Sequence, residues 1–402
     1  MSENVQQILD SFSLSSKFNT GVVSADRLLP SPYKRAQTFY LNTWREIASG
    51  PTLDWDSREH SFEFPASIRL ASSMFLEVKL PACGSGNWIA NAGQHLIRSM
   101  KIKSGSRTPV HYDDYAVILR DYLASLSNEA HACFCDAYLG GFQEGGSETS
   151  TARTLYIPIL LPQSHFLHRE QRNSRSGFGV LPCNFDNNKL EICVTLCPST
   201  YLTVDGSNAA SLVGSLRWCI REVQMSEANM VRYESSRGSF SIISRQFTKV
   251  GSGADWSYVA ANTLERVTFQ RLTGSVTEFQ ILAVKVDDAS EDVQYLEKMQ
   301  QPDVLRLIVD SITVREYTDK SRGVLELYKQ GFIHNKVADN CARICFGSHV
   351  SSRDYTGSFN MQNTSNLRIE MQFPENVKYQ IRAVRLDNLT IDSDGTLRSS
   401  LE

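Results

Sequence analysis

Between Cys341 and Phe373 lie two runs in which the chain changes side at every residue, joined by a polar excursion. Cys341, Arg343 and Cys345 alternate with Ala342, Ile344 and Phe346; further on, Leu367, Ile369, Met371 and Phe373 alternate with Arg368, Glu370 and Gln372. A period of two sends successive side chains to opposite faces of a pleated strand, so each run fits a strand with one face buried. The polar excursion between them carries Tyr355-Thr-Gly-Ser-Phe-Asn360, a glycine turn set around an aromatic. Segments of this kind must pair edge to edge and cover one face of the resulting sheet.

The same texture begins far earlier. Phe62, Phe64 and Ala66 alternate with polar or proline positions, Ser73 to Pro81 reads as a second strand and His95 to Ser106 as a third. Asp113 to Leu126 differs: Tyr115, Ile118, Leu119 and Tyr122 fall at helical spacing, which predicts one amphipathic helix covering a sheet edge. Arg153 to Pro162, Asn188 to Pro198 and Ser215 to Ser226 resume as strands, with a patternless loop from Gly140 to Ala152. After Gly238, strands are predicted at Ser239 to Thr248, Glu265 to Arg271, Thr277 to Val286, Val304 to Arg315, Asn340 to Val350, Ser365 to Phe373 and Lys378 to Leu386. Short strands punctuated by Pro, Gly and Ser indicate a β-sandwich or barrel. No residue-level repeat joins the two halves; the repetition is one of architecture. Residues 1–54, with a helix-like Val5, Ile8, Leu9, Phe12 face and a proline-stiffened Leu29 to Arg35, read as an N-terminal arm. Residues 55–226 read as one sandwich, and 227–402 as a second with a C-terminal tail.

At 402 residues, 41% of them hydrophobic, the chain is long enough for two sizeable cores, and its 15 Tyr and 19 Phe suit sheets. A net charge of -3 argues against a surface that clamps a nucleic-acid backbone, so no sequence-specific nucleic-acid partner is expected. No apolar run reaches membrane-spanning length, and MSENVQQILD lacks a charged-then-apolar leader, so synthesis in the cytosol is expected. Nine cysteines, an odd number, read as reduced and buried rather than as a disulfide framework.

Candidate chemical sites are few. His165 and His168 stand three apart, but without the glutamate of a zinc-protease helix; His131, Cys133 and Cys135 lack a second ligand pair. Asp392-Ser-Asp394-Gly395 opens like a calcium loop and reads as a surface turn. Gly251 and Gly253 have no phosphate-binding context, and the pairs Asp113–Asp114 and Asp287–Asp288 read as solvated caps or turns. Lys34–Arg35, Lys101 with Lys103, and the run from Arg169 to Arg175 read as solvated faces that set register at an interface. No catalytic, cofactor-binding or metal-binding residue is assigned, and no enzyme activity is expected.

Two stretches carry a family likeness. Ser176-Gly-Phe-Gly-Val-Leu-Pro182 leading into the alternating strand Asn188 to Pro198, and Tyr355 to Asn360 leading into Leu367 to Phe373, occur in the order seen in double jelly-roll proteins. The chain resembles the double jelly-roll major capsid proteins of eukaryotic DNA viruses and virus-like elements: nucleocytoplasmic large DNA viruses, polintons and adintoviruses. It looks like a compact member. On that likeness Gly177, Leu181, Pro182, Gly357, Ser358, Phe359 and Asn360 are structural motif residues. The resemblance implies an all-β chain of two consecutive eight-stranded antiparallel jelly-roll sandwiches with a few short loop helices. It further implies a homotrimeric, hexon-like, pseudo-hexagonal capsomer tiling an icosahedral virion shell. Its partners would be neighbouring capsomers, penton or minor capsid proteins and, through the N-terminal arm, an inner membrane. The other reading the fold permits is a carbohydrate-binding or carbohydrate-active double jelly-roll protein.

Overall fold

The chain is described from a computed structural model, in which residues 40–48, 52–53, 59–83, 87–89, 92–124, 152–162, 181–185, 188–204, 212–213, 216–225, 227, 231, 241–251, 256–269, 272, 274–286, 300–318, 341–346, 358–361, 366–392 and 395–401 are placed.

The first half contributes β1 (Tyr40–Ala48), β2 (Thr52–Leu53), β3 (Glu59–Glu63), β4 (Leu70–Leu80), the helical turn α1 (Ala92–His95), β5 (Ile97–Ser104), β6 (Arg107–Tyr112), helix α2 (Tyr115–Ala124), β7 (Arg153–Ile159), β8 (Leu181–Pro182), β9 (Asn184–Phe185), β10 (Asn188–Leu196), β11 (Leu212–Val213) and β12 (Leu216–Met225). The second half contributes β13 (Ser241–Val250), β14 (Ser257–Val259), β15 (Glu265–Phe269), β16 (Ser275–Lys285), β17 (Val304–Val309), β18 (Ile312–Tyr317), β19 (Ala342–Cys345), β20 (Phe359–Asn360), β21 (Leu367–Gln372), β22 (Val377–Ile391) and β23 (Leu397–Ser399).

Each half is a sandwich of two antiparallel sheets. In the first, β1-β12-β4-β7 faces β3-β10-β5-β6; in the second, β13-β22-β16-β19 faces β15-β21-β17-β18. The β4 sheet and the β16 sheet each carry a two-residue strand beside the central strand, β8 on β4 and β20 on β16. The core follows from alternation. Met74, Leu76 and Val78 of β4 meet Ile192 and Val194 of β10 and Ile102 of β5, while Phe62 stacks on Trp218 at 5.0 Å. In the second half Phe279, Ile281 and Ala283 of β16 meet Leu305, Leu307, Ile369 and Met371, with Phe279 stacked on Phe269 at 5.3 Å. Burying a side chain of this size contributes about 1.5–3 kcal/mol, which is why the alternation dominates the fold.

The two halves repeat in register, although their residues do not. One constant sequence offset, the one taking Ser72 to Thr277, also superposes β3 on β15, β4 on β16, β5 on β17 and β6 on β18. The hairpins agree pair for pair: Met100↔Tyr112 with Leu305↔Tyr317, Ile102↔Val110 with Leu307↔Arg315, and Ser104↔Arg107 with Val309↔Ile312. Each return strand holds one extra residue at the same place, Pro109 or Val314. A second bulge recurs where β12 crosses β4, between Arg221 and Glu222, and where β22 crosses β16, between Val276 and Glu278. At that bulge Ser72 Oγ donates to the Arg221 carbonyl at 3.1 Å, and Thr277 Oγ1 donates to the Val384 carbonyl at 3.0 Å. A bulge frees a ladder carbonyl, and in both halves a hydroxyl satisfies it.

Several expectations need correction. Tyr40–Ala48, inside the stretch read as an arm, pairs along its full length with β12, from Tyr40↔Met225 to Ala48↔Arg217. Its apolar residues Tyr40, Leu41, Trp44 and Ile47 fall on both phases, so no alternation shows in the sequence. Val304 to Arg315, read as one strand, is a hairpin: Asp310 (φ 47°) and Ser311 (φ 72°) form its two-residue turn. Positive φ at both positions is the mirror-type geometry that matches strand twist, usually signalled by glycine, which is missing here. His95 belongs to a helical turn rather than to a strand, and β6 was not expected at all because Pro109 interrupts it; that proline sits at the bulge, where no donor is required. The predicted helix is present as α2: Tyr115, Ile118 and Leu119 lie in the first core, and Val117 meets the outer face of the other half.

Candidate functional site

The chemistry-bearing side chains gather along the seam between the two sandwiches. Tyr115, at the start of α2, fixes the helix to its own half: its hydroxyl donates to the Pro158 carbonyl at 2.7 Å and accepts from the Leu160 amide at 2.8 Å. The opposite side of the helix lies on the β16 sheet, where Val117 packs with Leu282 and Cys341.

Charges fix that contact. Asp121 of α2 lies 2.5 Å from Arg343 of β19 and 3.3 Å from Arg245 of β13. Glu278 of β16, wholly buried, lies 3.5 Å from Arg343 and 3.9 Å from Arg245 and accepts from Gln280 Nε2 at 2.7 Å. Two acids and two guanidiniums thus alternate in a closed patch. Burial opposes the charge on Arg343, but Asp121 and Glu278 more than offset it and hold the group well above its ordinary value. Asp114 pairs with Arg382 and, at 3.5 Å, with Lys249. The reading of Asp113–Asp114 as solvated caps is therefore corrected for Asp114, which bridges the two halves. Asp113 remains half-exposed, 3.0 Å from His111.

Beside this patch the edge of β6 is closed by the second half. Tyr112 meets Phe247 edge to face, with centroids 6.1 Å apart, and Gln246 Nε2 donates to the Pro109 carbonyl at 3.0 Å. The Leu397 amide donates to Ser104 Oγ at 2.9 Å, and Leu389, Ile391 and Leu397 join the core of the first half.

A groove of about 590 Å³ runs along the seam, lined by His111, Asp113, Gln246, Lys249 and Arg385 among others. Its charges are engaged with neighbours: His111 with Asp113, Lys249 with Asp114, and Arg385 with Thr248 Oγ1 at 2.9 Å. Burial lowers the pKa of His111, with Asp113 opposing, so the imidazole is neutral at pH 7. Among the described residues of this lining the one acid, Asp113, is directed at His111. Among the described residues no cluster of three or more His, Cys, Asp or Glu could hold a metal ion. No described helix is long and apolar enough to cross a membrane.

The motif residues fall at matching places. Leu181 and Pro182 form β8 against Ala71 and Leu70, and Phe359 and Asn360 form β20 against Val276 and Ser275. The offset that relates the halves takes Leu70 and Ala71 to Ser275 and Val276, so their strand partners Pro182 and Leu181 correspond to Asn360 and Phe359. Both two-residue strands extend the sheet beside the bulge that recurs in the two halves. Ser358 precedes β20 and is exposed; Gly177 and Gly357 lie outside the described residues. So do His131, Cys133, Cys135, His165, His168, Lys34–Arg35, the run from Arg169 to Arg175, Gly253, Asp287–Asp288 and Asp394. Lys101 and Lys103 both pair with Glu59, pulling its carboxyl down to about 2. Asp392 accepts the Gly395 amide in a tight turn and pairs with Arg398. The seven described cysteines are buried thiols outside any disulfide. Sequence reasoning missed the Asp121, Glu278, Arg245 and Arg343 patch, because its members are far apart in the chain and no local pattern joins them.

No protein-family profile and no curated protein matches the chain. Solved structures do. The capsid of the virus PBCV-1, a quasi-atomic model, matches with a TM-score of 0.64 at 11% identity, over 90% of this chain and 97% of that one. The Faustovirus major capsid protein matches with a TM-score of 0.63 at 10% identity, over 88% and 91%. The Sputnik virophage structure matches with a TM-score of 0.53 at 12% identity, over 90% and 88%. The fold is therefore the double jelly roll of these viral capsid proteins: two consecutive eight-stranded antiparallel sandwiches in one chain.

Proposed function

We propose that this chain is the major capsid protein of an icosahedral DNA virus or virus-like element, a structural rather than an enzymatic protein. The observation that carries this reading is the register-level duplication. Two sandwiches with the same strand order, hairpins and bulges lie side by side in one chain, and the sheet of the second covers the edge strand and helix of the first. Two equivalent blocks per chain let three chains make six similar blocks, and a head-to-tail contact repeated around a ring closes on itself. The match over nearly the full length of viral capsid chains supports the same reading.

In this reading the copies assemble as a hexon-like homotrimer, and trimers tile the virion shell. Penton or minor capsid proteins fill the positions a trimer cannot, and residues before Tyr40 reach neighbouring capsomers or an inner membrane. Synthesis is in the host cytosol and the mature location is the virion capsid. The carbohydrate-binding alternative has less support: the charged side chains of the seam groove are engaged with neighbours, and Phe247 is the one carbocyclic ring among the described residues of its lining.

Size-exclusion light scattering with negative-stain microscopy of the purified chain tests the proposal. A trimer of pseudo-hexagonal outline is the expected result. A monomer that stays monomeric at high concentration and binds glycans would overturn it.

A further inference from the structure

β12 and β22 hold equivalent places in the two halves, but β22 is longer. Arg221 and Val384 pair with Ser73 and Glu278, which the constant offset relates, so Met225, the last residue of β12, corresponds to Asn388. β22 runs on through Ile391, turns at Asp392 and returns as β23, with Leu389 paired to Ser399 and Ile391 to Leu397. The residues that depart from the repeat are those that leave their own half. Leu389, Ile391 and Leu397, all buried, lie in the core of the first sandwich rather than of the second.

Bonds to both halves hold this segment. Toward the first, the Leu397 amide donates to Ser104 Oγ at 2.9 Å, and Ser104 is wholly buried. Toward the second, the buried Asp387 accepts from Ser399 Oγ at 2.7 Å and from the Ser400 amide and Oγ, both at 2.9 Å. Gln246 Nε2 donates to the same carboxylate at 3.2 Å and to the Pro109 carbonyl of β6 at 3.0 Å, so one buried acid ties the segment to the cover of β6. Chain order then matters. The strands of the first sandwich end at Met225, yet three of the side chains filling its core come from beyond every sheet strand of the second except β22 itself. Sandwiches joined in one chain ordinarily fold as units, the N-terminal one first. Here that unit lacks three large aliphatic side chains until the other is nearly made, and a gap of that size in a core is costly.

We propose that residues 389–401 act as a closing strap: the first sandwich reaches its native packing only when this segment docks, so the half that is made first is finished last. Docking fills the first core, places the Leu397 amide on Ser104 and locks Asp387 in a single step. Until then the edge strand β6 stands without the cover that the second half brings, which leaves an open strand edge. The strap works within one chain, so the inference goes beyond the capsomer reading and does not depend on it.

The test uses the full chain and hydrogen exchange read by mass spectrometry. In pulsed labelling during refolding from urea, the amides of β5 and β10 should gain protection in the same step as those of β23. Full protection of β5 and β10 in an earlier step would overturn the proposal. At equilibrium, Leu397→Ala should speed exchange in β5 and β6 by about 30-fold or more, the cost of truncating a buried leucine, and leave β17 and β21 far less affected. Ser400→Ala, the milder variant, removes bonds that its hydroxyl makes only to Asp387 and Asn388 of the second half. It should nonetheless speed exchange in the first half, by about fivefold. Equal acceleration in the two halves, or acceleration confined to β13 and β22, would show that the segment only decorates the second sandwich.

Discussion

Asp121 and Arg343, one from each half of the chain, meet at 2.5 Å with side chains only 10% and 6% exposed. Glu278 and Arg245 complete the patch, so removing one member leaves an opposite charge buried with too few partners. Breaking a buried pair from one side costs about 3–5 kcal/mol, whereas replacing both members by apolar groups costs far less. Arg343→Met is expected to destabilise the chain by about that amount, and Asp121→Leu combined with Arg343→Met to recover much of it. Urea unfolding of the two single variants and the double variant measures the coupling; additive losses would show that the two residues do not act as a pair.

The hydroxyls of Ser72 and Thr277 make the same bond at the same bulge in the two halves, both nearly inaccessible to solvent. Each satisfies a carbonyl that the bulge has removed from the ladder, so deleting either should cost about 1 kcal/mol net. Ser72→Ala and Thr277→Val are expected to shift the unfolding midpoint by comparable amounts without changing the slope of the transition. A large loss in one and none in the other would mean that the register repeat does not extend to the energetics.

His95 is fully buried, and burial, reinforced by the nearby Arg120 charge, lowers its pKa to about 3 from 6.5. Its Nδ1 has no hydrogen-bond partner in the described structure. The native imidazole therefore stays neutral while the unfolded chain takes up a proton below pH 6.5. Its contribution to stability is fully present above that pH and is lost as pH falls toward 3, at up to about 1.4 kcal/mol per unit. Denaturant midpoints at pH 7.5, 5.5 and 4.5 measure the slope, and His95→Gln should flatten it in that window. An unchanged slope in the variant would assign the acid sensitivity to other groups.

What the sequence made legible follows from where information is local. β10 and β21 carry their large aliphatic side chains on one face, so Leu190, Ile192, Val194 and Leu196, or Leu367, Ile369 and Met371, mark their inward side without help from the rest of the chain. β6 is different. Pro109 and Val110 are adjacent yet both buried: Pro109 is the extra residue of the bulge, its carbonyl accepting from Gln246 of the second sandwich, while Val110 stays in the first core, and the period of two is broken. In β1 the apolar residues Tyr40, Leu41, Trp44 and Ile47 likewise fall on both phases of the strand. The turn at Asp310–Ser311 lacks glycine, so its positive φ values left no local mark. The charged patch was invisible for another reason: Asp121 and Arg343, from different halves of the chain, meet only where the two sandwiches are in contact. Pairs such as Asp113–Asp114, judged alone, resemble any solvated cap.

Leu181 and Phe359 occupy equivalent positions beside the bulge, but their surroundings differ. Leu181 is wholly buried among the side chains of the first core, whereas Phe359 is half-buried and stacks on Phe346 with centroids 5.2 Å apart. Truncating a buried leucine removes its transfer free energy and leaves a cavity, about 2–5 kcal/mol together. Truncating Phe359 loses part of its burial and the stacking term, itself about 0.5–1.5 kcal/mol, while solvent fills the gap. Leu181→Ala is therefore expected to cost more than Phe359→Ala, although fewer atoms are removed. Thermal unfolding of the two variants side by side decides it. A larger loss at Phe359 would mean that the Phe346, Phe279 and Phe269 rings, which continue its stack inward, depend on it as their outer support.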